Sequence, residues 1–366
     1  MKVIIPRLDL VSLIGKIQNI VAAKPAIPIL ANVLIEAVDD QLIISATDLT
    51  VSMRAYAEAK VVEEGAITLP ARRFFQLIRE LTSPTVEIHS SSPDMASINA
   101  GTSHFKVHGM HKNEFPALPD LSEGVHLSLT SPLLREMLSR TAFAAARDDS
   151  RQVLNGVYLQ QANQTATFIG TDGKRLAKIH VPVDLPPEQT GSYIIPLKAV
   201  DEMIRILDNK EDLAKLTLMN DKIAIEVGPV TLISKLLSGQ YPDVSRVIPE
   251  KKESTISLHR EELITLLRQV SLFTPDNSSS VRFTFTSGEL HLSAVSGEIG
   301  EGKVNMPVNY GGEKLDIAFN PNFFLDILRH SKDETVHFNI SDSYNPGLIT
   351  DSTTAQFVIM PMRLEA

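Results

Sequence analysis

The chain contains no cysteine. Disulfides and thiolate chemistry are therefore excluded, a composition suited to a reducing compartment. No apolar run approaches the roughly 18–20 residues that span a bilayer. Lys2, Arg7 and Lys16 interrupt the apolar stretches near the N-terminus, so no secretory leader is read there. The expectation is a soluble, cytoplasmic protein with no membrane partner. Positive charge is not in excess either. A formal net charge of -9 argues against a tight binder that grips nucleic acid by neutralising phosphates. It says less about basic residues gathered on one face. Catalytic signatures are missing too, with neither a Gly-x-Ser-x-Gly elbow nor a Gly-rich phosphate loop ending in Lys-Ser/Thr. Gly297, Gly300 and Gly302 are in the wrong order for a dinucleotide loop and read as a flexible turn. His104, His108 and His111 form the one histidine cluster. On a strand, His104 and His108 would share a face about 13 Å apart, too far for one metal ion. Asp148-Asp149 reads as a solvated loop, not an acid/base pair. No catalytic residue, metal or cofactor is predicted.

What the chain does have is repetition. Leu10, Leu13, Ile14 and Ile17 fall at helical spacing, and so do Leu134, Met137, Leu138, Thr141 and then Leu263, Leu266, Leu267, Val270. A second pattern runs Phe74, Leu77, Ile78, Leu81, then Val200, Met203, Ile204, Leu207, then Phe324, Ile327, Leu328, Ser331. Copies lie about 125 residues apart, and a fixed period marks duplicated units. The length of 366 residues accommodates three units of roughly 120 residues, each able to bury its own core. Pro70, Pro196 and Pro321 sit near the starts of the second helices, where proline is tolerated. Ser131-Pro132 predicts a side-chain N-cap followed by proline.

Short strands surround the helices. Hairpins are predicted for 33–37 with 42–45 around Asp39-Asp40, for 157–160 with 166–169, and for 281–285 with 290–293 across Ser287-Gly288. Further pairs join 86–88 to 105–107, 216–218 to 223–225, and 336–338 to 357–359. This predicts α+β domains, each with two helices on one side of antiparallel sheets. Two linkers open on an aromatic-Pro pair: Phe115-Pro116 onward to about His126, and Tyr241-Pro242 onward through Ser254. The predicted domains are 1–120, 127–247 and 252–366.

Opposite the apolar stripe, the second helices repeat a basic offset. Arg72 and Arg79 occupy it first, Lys198 and Arg205 next, Asn322 and Arg329 last. The first helices add Lys16 and Arg140 at one shared offset and Arg268 nearby. Glu80, Glu202 and Asp326 also point away from the predicted core, so a mixed solvated face is the plain reading. Threefold recurrence favours a shared surface that meets phosphate, giving non-specific, salt-sensitive contact.

The densest polar motif is Gly170-Thr171-Asp172-Gly173-Lys174-Arg175-Leu176, and Thr47-Asp48-Leu49 holds the corresponding place in the first repeat. With Lys24-Pro25-Ala26-Ile27-Pro28-Ile29-Leu30, Pro70-Ala71-Arg72-Arg73-Phe74-Phe75, Leu154-Asn155-Gly156, Ser234-Lys235-Leu236 and the terminal 358–364 segment, it makes the chain resemble the bacterial sliding clamp, the beta subunit of DNA polymerase III. The resemblance covers essentially the whole chain.

It implies a non-catalytic processivity factor, a head-to-tail homodimer closed into a ring of three-domain chains. Such a ring encircles double-stranded DNA without reading sequence. It also implies partners that carry a short clamp-binding motif: the polymerase III catalytic subunit, the clamp loader, other polymerases and repair proteins. The DNA-facing positions it implies are Lys24, Arg72, Arg73, Gln152 and Lys198, to which the basic helix offset adds Arg79 and Arg205. For the partner groove it implies Leu154, Thr171, Gly173, Lys174, Arg175, Leu176, Pro242, Arg246, Val247, Asn320, Phe323, Tyr344, Met360, Pro361, Met362 and Arg363. For the dimer contact it implies Phe105 and Val107 against Leu272 and Phe273, with Arg73 near Glu298 or Glu301. Lys174 stands where the family often has His, Phe323 where Tyr can occur, and Glu365-Ala366 extend the usual terminus. Two rivals differ in their tests. An enzyme would turn over a substrate, and a static nucleic-acid binder would hold short linear duplexes tightly with a steep salt slope.

Overall fold

The computed structural model describes residues 1–22, 24–119, 121, 124–208, 212–250, 255–274 and 279–363. Leu364 and the Glu365-Ala366 extension lie outside it, as do Asp120 and most of the charged end of the second linker.

The first repeat runs β1 (Lys2–Pro6), α1 (Arg7–Ile17), β2 (Asn32–Val38), β3 (Gln41–Thr47), β4 (Val51–Glu58), β5 (Lys60–Glu63), β6 (Gly65–Pro70), α2 (Ala71–Glu80), β7 (Thr85–Ser92), β8 (Met95–Ala100) and β9 (Ser103–His108). The second runs β10 (Val125–Thr130), α3 (Ser131–Ala142), β11 (Gly156–Ala162), β12 (Thr165–Thr171), β13 (Arg175–Pro182), β14 (Gly191–Pro196), α4 (Leu197–Ile206), β15 (Leu213–Leu218), β16 (Lys222–Val227) and β17 (Val230–Lys235). The third runs β18 (Ile256–His259), α5 (Arg260–Ser271), β19 (Val281–Thr286), β20 (Glu289–Ser296), β21 (Gly300–Pro307), β22 (Leu315–Phe319), α6 (Pro321–His330), β23 (Thr335–Asn339), β24 (Gly347–Thr350) and β25 (Gln356–Ile359). The order is one α+β plan used three times, with β5 an addition to the first copy.

Local chemistry repeats with the plan. Asp39-Asp40 and Asn163-Gln164 turn their hairpins with both central residues at positive φ, the turn whose twist suits two strands. Each first helix begins on the same backbone contact. Arg7 N–H donates to Pro84 O at 2.8 Å, Ser131 N–H to Asp212 O at 2.8 Å, and Arg260 N–H to Glu334 O at 2.7 Å. That contact, not a side chain, starts α3: the Ser131 hydroxyl is buried and meets no partner among the described residues, contrary to the predicted N-cap.

Other expectations also change. Strands 86–88 and 105–107 do not pair directly, because β8 lies between them, and β24 lies likewise between β23 and β25. β8 carries small polar residues and β24 is four residues long, so neither shows a strong apolar alternation. Gly300 and Gly302 lie in β21 and not in a turn, with the Phe273 ring so close to Gly302 that a Cβ there would sit 2.6 Å from it. In α5, Ile264 takes the buried place expected of Leu266.

The chain groups into two compact units, residues 1–135 with 198–237, and residues 136–197 with 238–366. The middle repeat thus contributes to both. In the first unit an eight-stranded sheet runs β10-β15-β16-β17-β4-β3-β2-β6, and a five-stranded sheet runs β5-β1-β7-β8-β9. In the second, an eight-stranded sheet runs β14-β11-β12-β13-β25-β24-β23-β18 and a four-stranded sheet runs β21-β20-β19-β22. Each large sheet is two repeats' half-sheets joined edge to edge, through β17–β4 and through β13–β25. Leu10, Leu13, Ile14, Ile17, Phe74 and Ile78 are buried in the first unit. In the second, Phe324 packs against Phe283, Phe319 and Phe338 with centroids 5.0–5.7 Å away.

Candidate functional site

The motif around Asp172 builds a rigid turn. Asp172 Oδ1 accepts the N–H groups of Lys174 at 2.9 Å and Arg175 at 3.0 Å. Thr171 Oγ1 accepts from Gly173 N–H at 3.1 Å and donates to Arg175 O at 2.6 Å. Gly173 has φ +82°, a conformation that costs other residues about 1–2 kcal/mol. With the local backbone so pinned, the Arg175 guanidinium is aimed. It bonds Asp172 at 3.2 Å and Asp326 at 2.7 Å, and stacks 4.6 Å from the Phe323 ring and 5.5 Å from that of Phe143.

Beside this turn lies an apolar cavity of about 170 Å³. Eight predicted groove residues line it: Leu154, Thr171, Gly173, Arg175, Leu176, Pro242, Val247 and Met360. Strand pairing carries Met360 there, since β25 runs along β13 and Met360 N–H donates to Lys174 O at 2.9 Å. A second cavity of about 290 Å³ shares Arg175 and is lined by Lys174, Phe323, Phe143 and the 145–149 loop. Asn320 instead caps α6 by accepting Asn322 N–H at 2.9 Å. Arg246 and Tyr344 are 89% and 86% exposed and line neither cavity. Pro361, Met362 and Arg363 also lie outside both linings, and Met362 N–H bonds Ala318 O. The sequence reading missed Arg151, Asp243, Val244 and Val358. Arg151 is held by Asp149 in two hydrogen bonds of 2.9–3.0 Å, which depress that carboxyl to about 2. This accounts for the Asp148-Asp149 pair as a loop clamp, and the Asp-x-Arg spacing was its available signal.

The cationic face differs from the expected one. Arg72, Arg73, Arg79, Lys16, Lys24 and Gln152 are exposed. Arg72 and Arg79 border a polar cleft of about 370 Å³ with Gln18, Asn19, Phe75 and Gln76. Arg140, by contrast, is buried. Its guanidinium bonds Asp351, Glu136, Thr353 and the His330 carbonyl. Burial opposes ionisation of Asp351, yet the Thr353 hydroxyl, the Lys332 N–H and Arg140 hold its pKa below the usual carboxylate range. A buried pair satisfies a cation whose helical offset alone places it outside. Glu202 is buried as well, and burial raises its pKa although Arg205 sits 2.8 Å away. Among the described residues no group of His, Asp or Glu side chains is arranged to hold a metal ion.

Of the residues expected at the dimer contact, Phe105 and Leu272 are exposed, at 41% and 73%, and Val107 is buried. Glu298 and Glu301 are exposed. Phe105 and Val107 lie on β9, which ends its sheet, and Glu301 lies on β21, which ends another.

Three like α+β repeats carrying an apolar groove and exposed cations define a binding scaffold. Comparison with known proteins gives the family. Residues 1–119, 128–243 and 245–363 match the N-terminal, central and C-terminal domains of the DNA polymerase III beta subunit. A beta sliding clamp from Chlamydia muridarum is 53% identical over 365 residues, covering 100% of this chain and 99% of the relative. The crystal structure of the DNA polymerase III subunit beta from Pseudomonas aeruginosa superposes with a TM-score of 0.95 at 28% identity, covering 100% of both chains. A second clamp structure from that organism, bound to griselimycin, gives a TM-score of 0.95 at 29% identity and 100% coverage of both. The chain belongs to the DNA polymerase III beta subunit family, the sliding clamps. It is a processivity subunit of a DNA polymerase and not itself an enzyme.

Proposed function

We propose that two copies of this chain close head to tail around duplex DNA and tether polymerases and other replication and repair proteins through the groove at Thr171–Leu176. The observation that carries the reading is the edge inventory of the sheets. Twice within the chain the last strand of one repeat pairs with the fourth strand of the preceding one, β17 with β4 and β25 with β13. The remaining strands of those two kinds are β9 and β21, and both are edges. Pairing β9 of one copy with β21 of another repeats the junction a third time and leaves neither edge open. Such a contact is heterologous, and it ends at two copies when the rotation closes.

The register follows from the two existing junctions. Leu232 faces Met53 and Phe357 faces Ala177. By equivalence Phe105 faces Gly302, Lys106 faces Glu301 and Val107 faces Gly300. Leu232 and Phe357 are fully buried while Phe105 is exposed, as an apolar residue awaiting the same partner would be. The Phe105 ring would then lie over Gly302 against Phe273 and Leu272. Asp48 pairs with Lys198 beside the β17–β4 junction, and at the seam Glu298 or Glu301 would lie near Arg73, the residue after the Lys198-equivalent Arg72. Exposed pairs add little there, so apolar contact holds the ring.

DNA contact is assigned to Lys24, Arg72, Arg73, Arg79, Gln152, Lys198 and Arg205, of which Lys198 and Arg205 are ion-paired. The domain limits proposed are 1–120, 127–247 and 252–366. No described helix is long and apolar enough to cross a membrane, and we place the protein in the cytoplasm with the replication machinery. The groove suits a short peptide with apolar anchors: its walls are aliphatic, Met360 is adaptable, and Arg175 and Thr171 supply orientation. The test is twofold. Leu272→Ala with Phe273→Ala should halve the particle mass by light scattering, and a dimer that survives rejects the seam. Loaded protein should stay on closed circular DNA and leave when it is linearised. Equal loss from both rejects encirclement.

A further inference from the structure

The cations assigned to DNA are not equally free. The Lys198 ammonium donates to Asp48 Oδ2 and to the Ile20 carbonyl at 3.3 Å. Asp48 cannot turn aside, because its other oxygen accepts Thr50 N–H at 2.9 Å and Val51 N–H at 2.7 Å. Seven residues on, the Arg205 guanidinium is held 2.8 Å from the buried Glu202. The matching position on α6, Arg329, is 3.1 Å from Asp326. In contrast, Lys16, Lys24, Arg72 and Arg79 are exposed and meet no carboxylate among the described residues. Arg72 and Arg79 share their cleft with the amide side chains of Gln18, Asn19 and Gln76, all of which can donate to phosphate oxygens.

We propose that Asp48 acts as a built-in phosphate mimic that occupies Lys198, so that backbone contact falls on the α1–α2 face of the first repeat. This rests on the reading that the chain encircles DNA. A cation contributes to affinity by displacing counterions from the duplex, roughly 0.9 in the slope of log K on log salt for each phosphate neutralised. An ammonium already satisfied by a carboxylate must first give that partner up, so its net contribution is smaller than that of an unpaired cation. Three repeats that share a helix offset therefore do not share the work. The second and third place a carboxylate on the cation, and the first leaves it bare. Weak contact confined to one face of each subunit keeps the duplex free to slide.

The experiment is a salt series of binding to a short linear duplex, read by fluorescence anisotropy, with each variant confirmed as a dimer by light scattering. Asp48→Asn keeps the Oδ1 acceptor for the turn and removes the charge. It should steepen the slope by about 0.9 for each ammonium released to a phosphate, and adding Lys198→Ala should return the slope to that of the unaltered protein. Lys198→Ala alone should flatten the slope far less than Arg72→Ala does. Arg72→Ala with Arg79→Ala should make the slope shallower by about 1.8 per contacting face, two contacts at about 0.9 each. If Lys198→Ala alone costs as much slope as Arg72→Ala, or if dimeric Asp48→Asn leaves the slope unmoved, the inference fails. Failure of the unaltered protein to persist on circular DNA is a different result: it rejects the encircling reading and this inference with it.

Discussion

Two turns of this protein have nearly the same backbone and opposite uses. At residues 47–51, Asp48 accepts the next-but-one and following N–H groups, Thr47 bonds Val51 O at 3.3 Å, and Leu49 stands at φ +75°. At residues 171–175, Asp172 and Thr171 repeat those bonds and Gly173 stands at φ +82°. The first turn sends its spare carboxylate oxygen to Lys198 and acts as a strut. The second sends it to Arg175, its own fifth residue, and becomes the rim of the cavity proposed to take a peptide. Val51 and Arg175 are equivalent positions, and that exchange turns a junction into a site. A cavity also lies beside β4 and β17, at the first junction, with Leu118 and Leu121 from the linker. Its walls lack an aimed cation stacked on aromatic rings.

The contrast can be broken from its strongest point downward. Arg175→Ala leaves Asp172 and Asp326 without their shared cation and unstacks Phe323. We expect a loss of about 3 kcal/mol in urea unfolding and at least tenfold weaker binding of a clamp-motif peptide, read by calorimetry. A loss below about 1 kcal/mol would show the network to be ornamental. Gly173→Ala should cost about 1–2 kcal/mol, since its φ is left-handed and the new Cβ would lie 3.1 Å from the Arg151 guanidinium. Leu49→Gly at the matching position should be neutral or stabilising by up to about 1 kcal/mol, because glycine relieves the strain at some cost in chain entropy. If both changes destabilise equally, the turns are not equivalent.

Acid separates the carboxylates by sign. Burial opposes ionisation of Asp48, but the Lys198 ammonium and two backbone N–H groups win and hold its pKa below 3.8. Asp351 is also depressed. Their stabilisation is complete above the ordinary carboxylate range and is lost as pH falls through the depressed values. Glu202 runs the other way. Burial raises its pKa above 4.5, so its contribution is full below 4.5 and is lost as pH rises through the raised value. Urea midpoints should therefore fall below about pH 4, and Glu202→Gln should raise the midpoint most at neutral pH. A Glu202→Gln midpoint that is unchanged at pH 7 would contradict the raised pKa. The smallest effect belongs to the strut: Asp48→Asn should cost only about 0.5 kcal/mol, because Lys198 is 44% exposed. A larger loss would mean that the strut, not the β17–β4 pairing, holds that junction.

Periodicity made the helices legible. Leu10, Leu13, Ile14 and Ile17 are all buried as spaced, and Asp39-Asp40 turn where two acidic residues interrupt an apolar alternation. Thr171–Leu176 by itself reads as a turn, and only the family resemblance implies a groove beside it. Its far wall is not legible there. Val244 and Val358 lie on segments over a hundred residues apart and are brought together only when β25 pairs with β13.

Charge placement was the least legible feature. A helical wheel assigns Arg140 and Glu202 to the outer face, and both are buried. The wheel knows where the helix's own core stripe points, but not which other segment arrives on the opposite side. The sequence alone determined the threefold plan, the helix stripes and the hairpin turns, because these are written in the spacing of residues along the chain. Tertiary structure alone decided which cations are neutralised, which strand edges are left open and which of two like turns becomes a groove. Those outcomes depend on carboxylates, rings and edges that only the folded chain brings within hydrogen-bonding or packing distance.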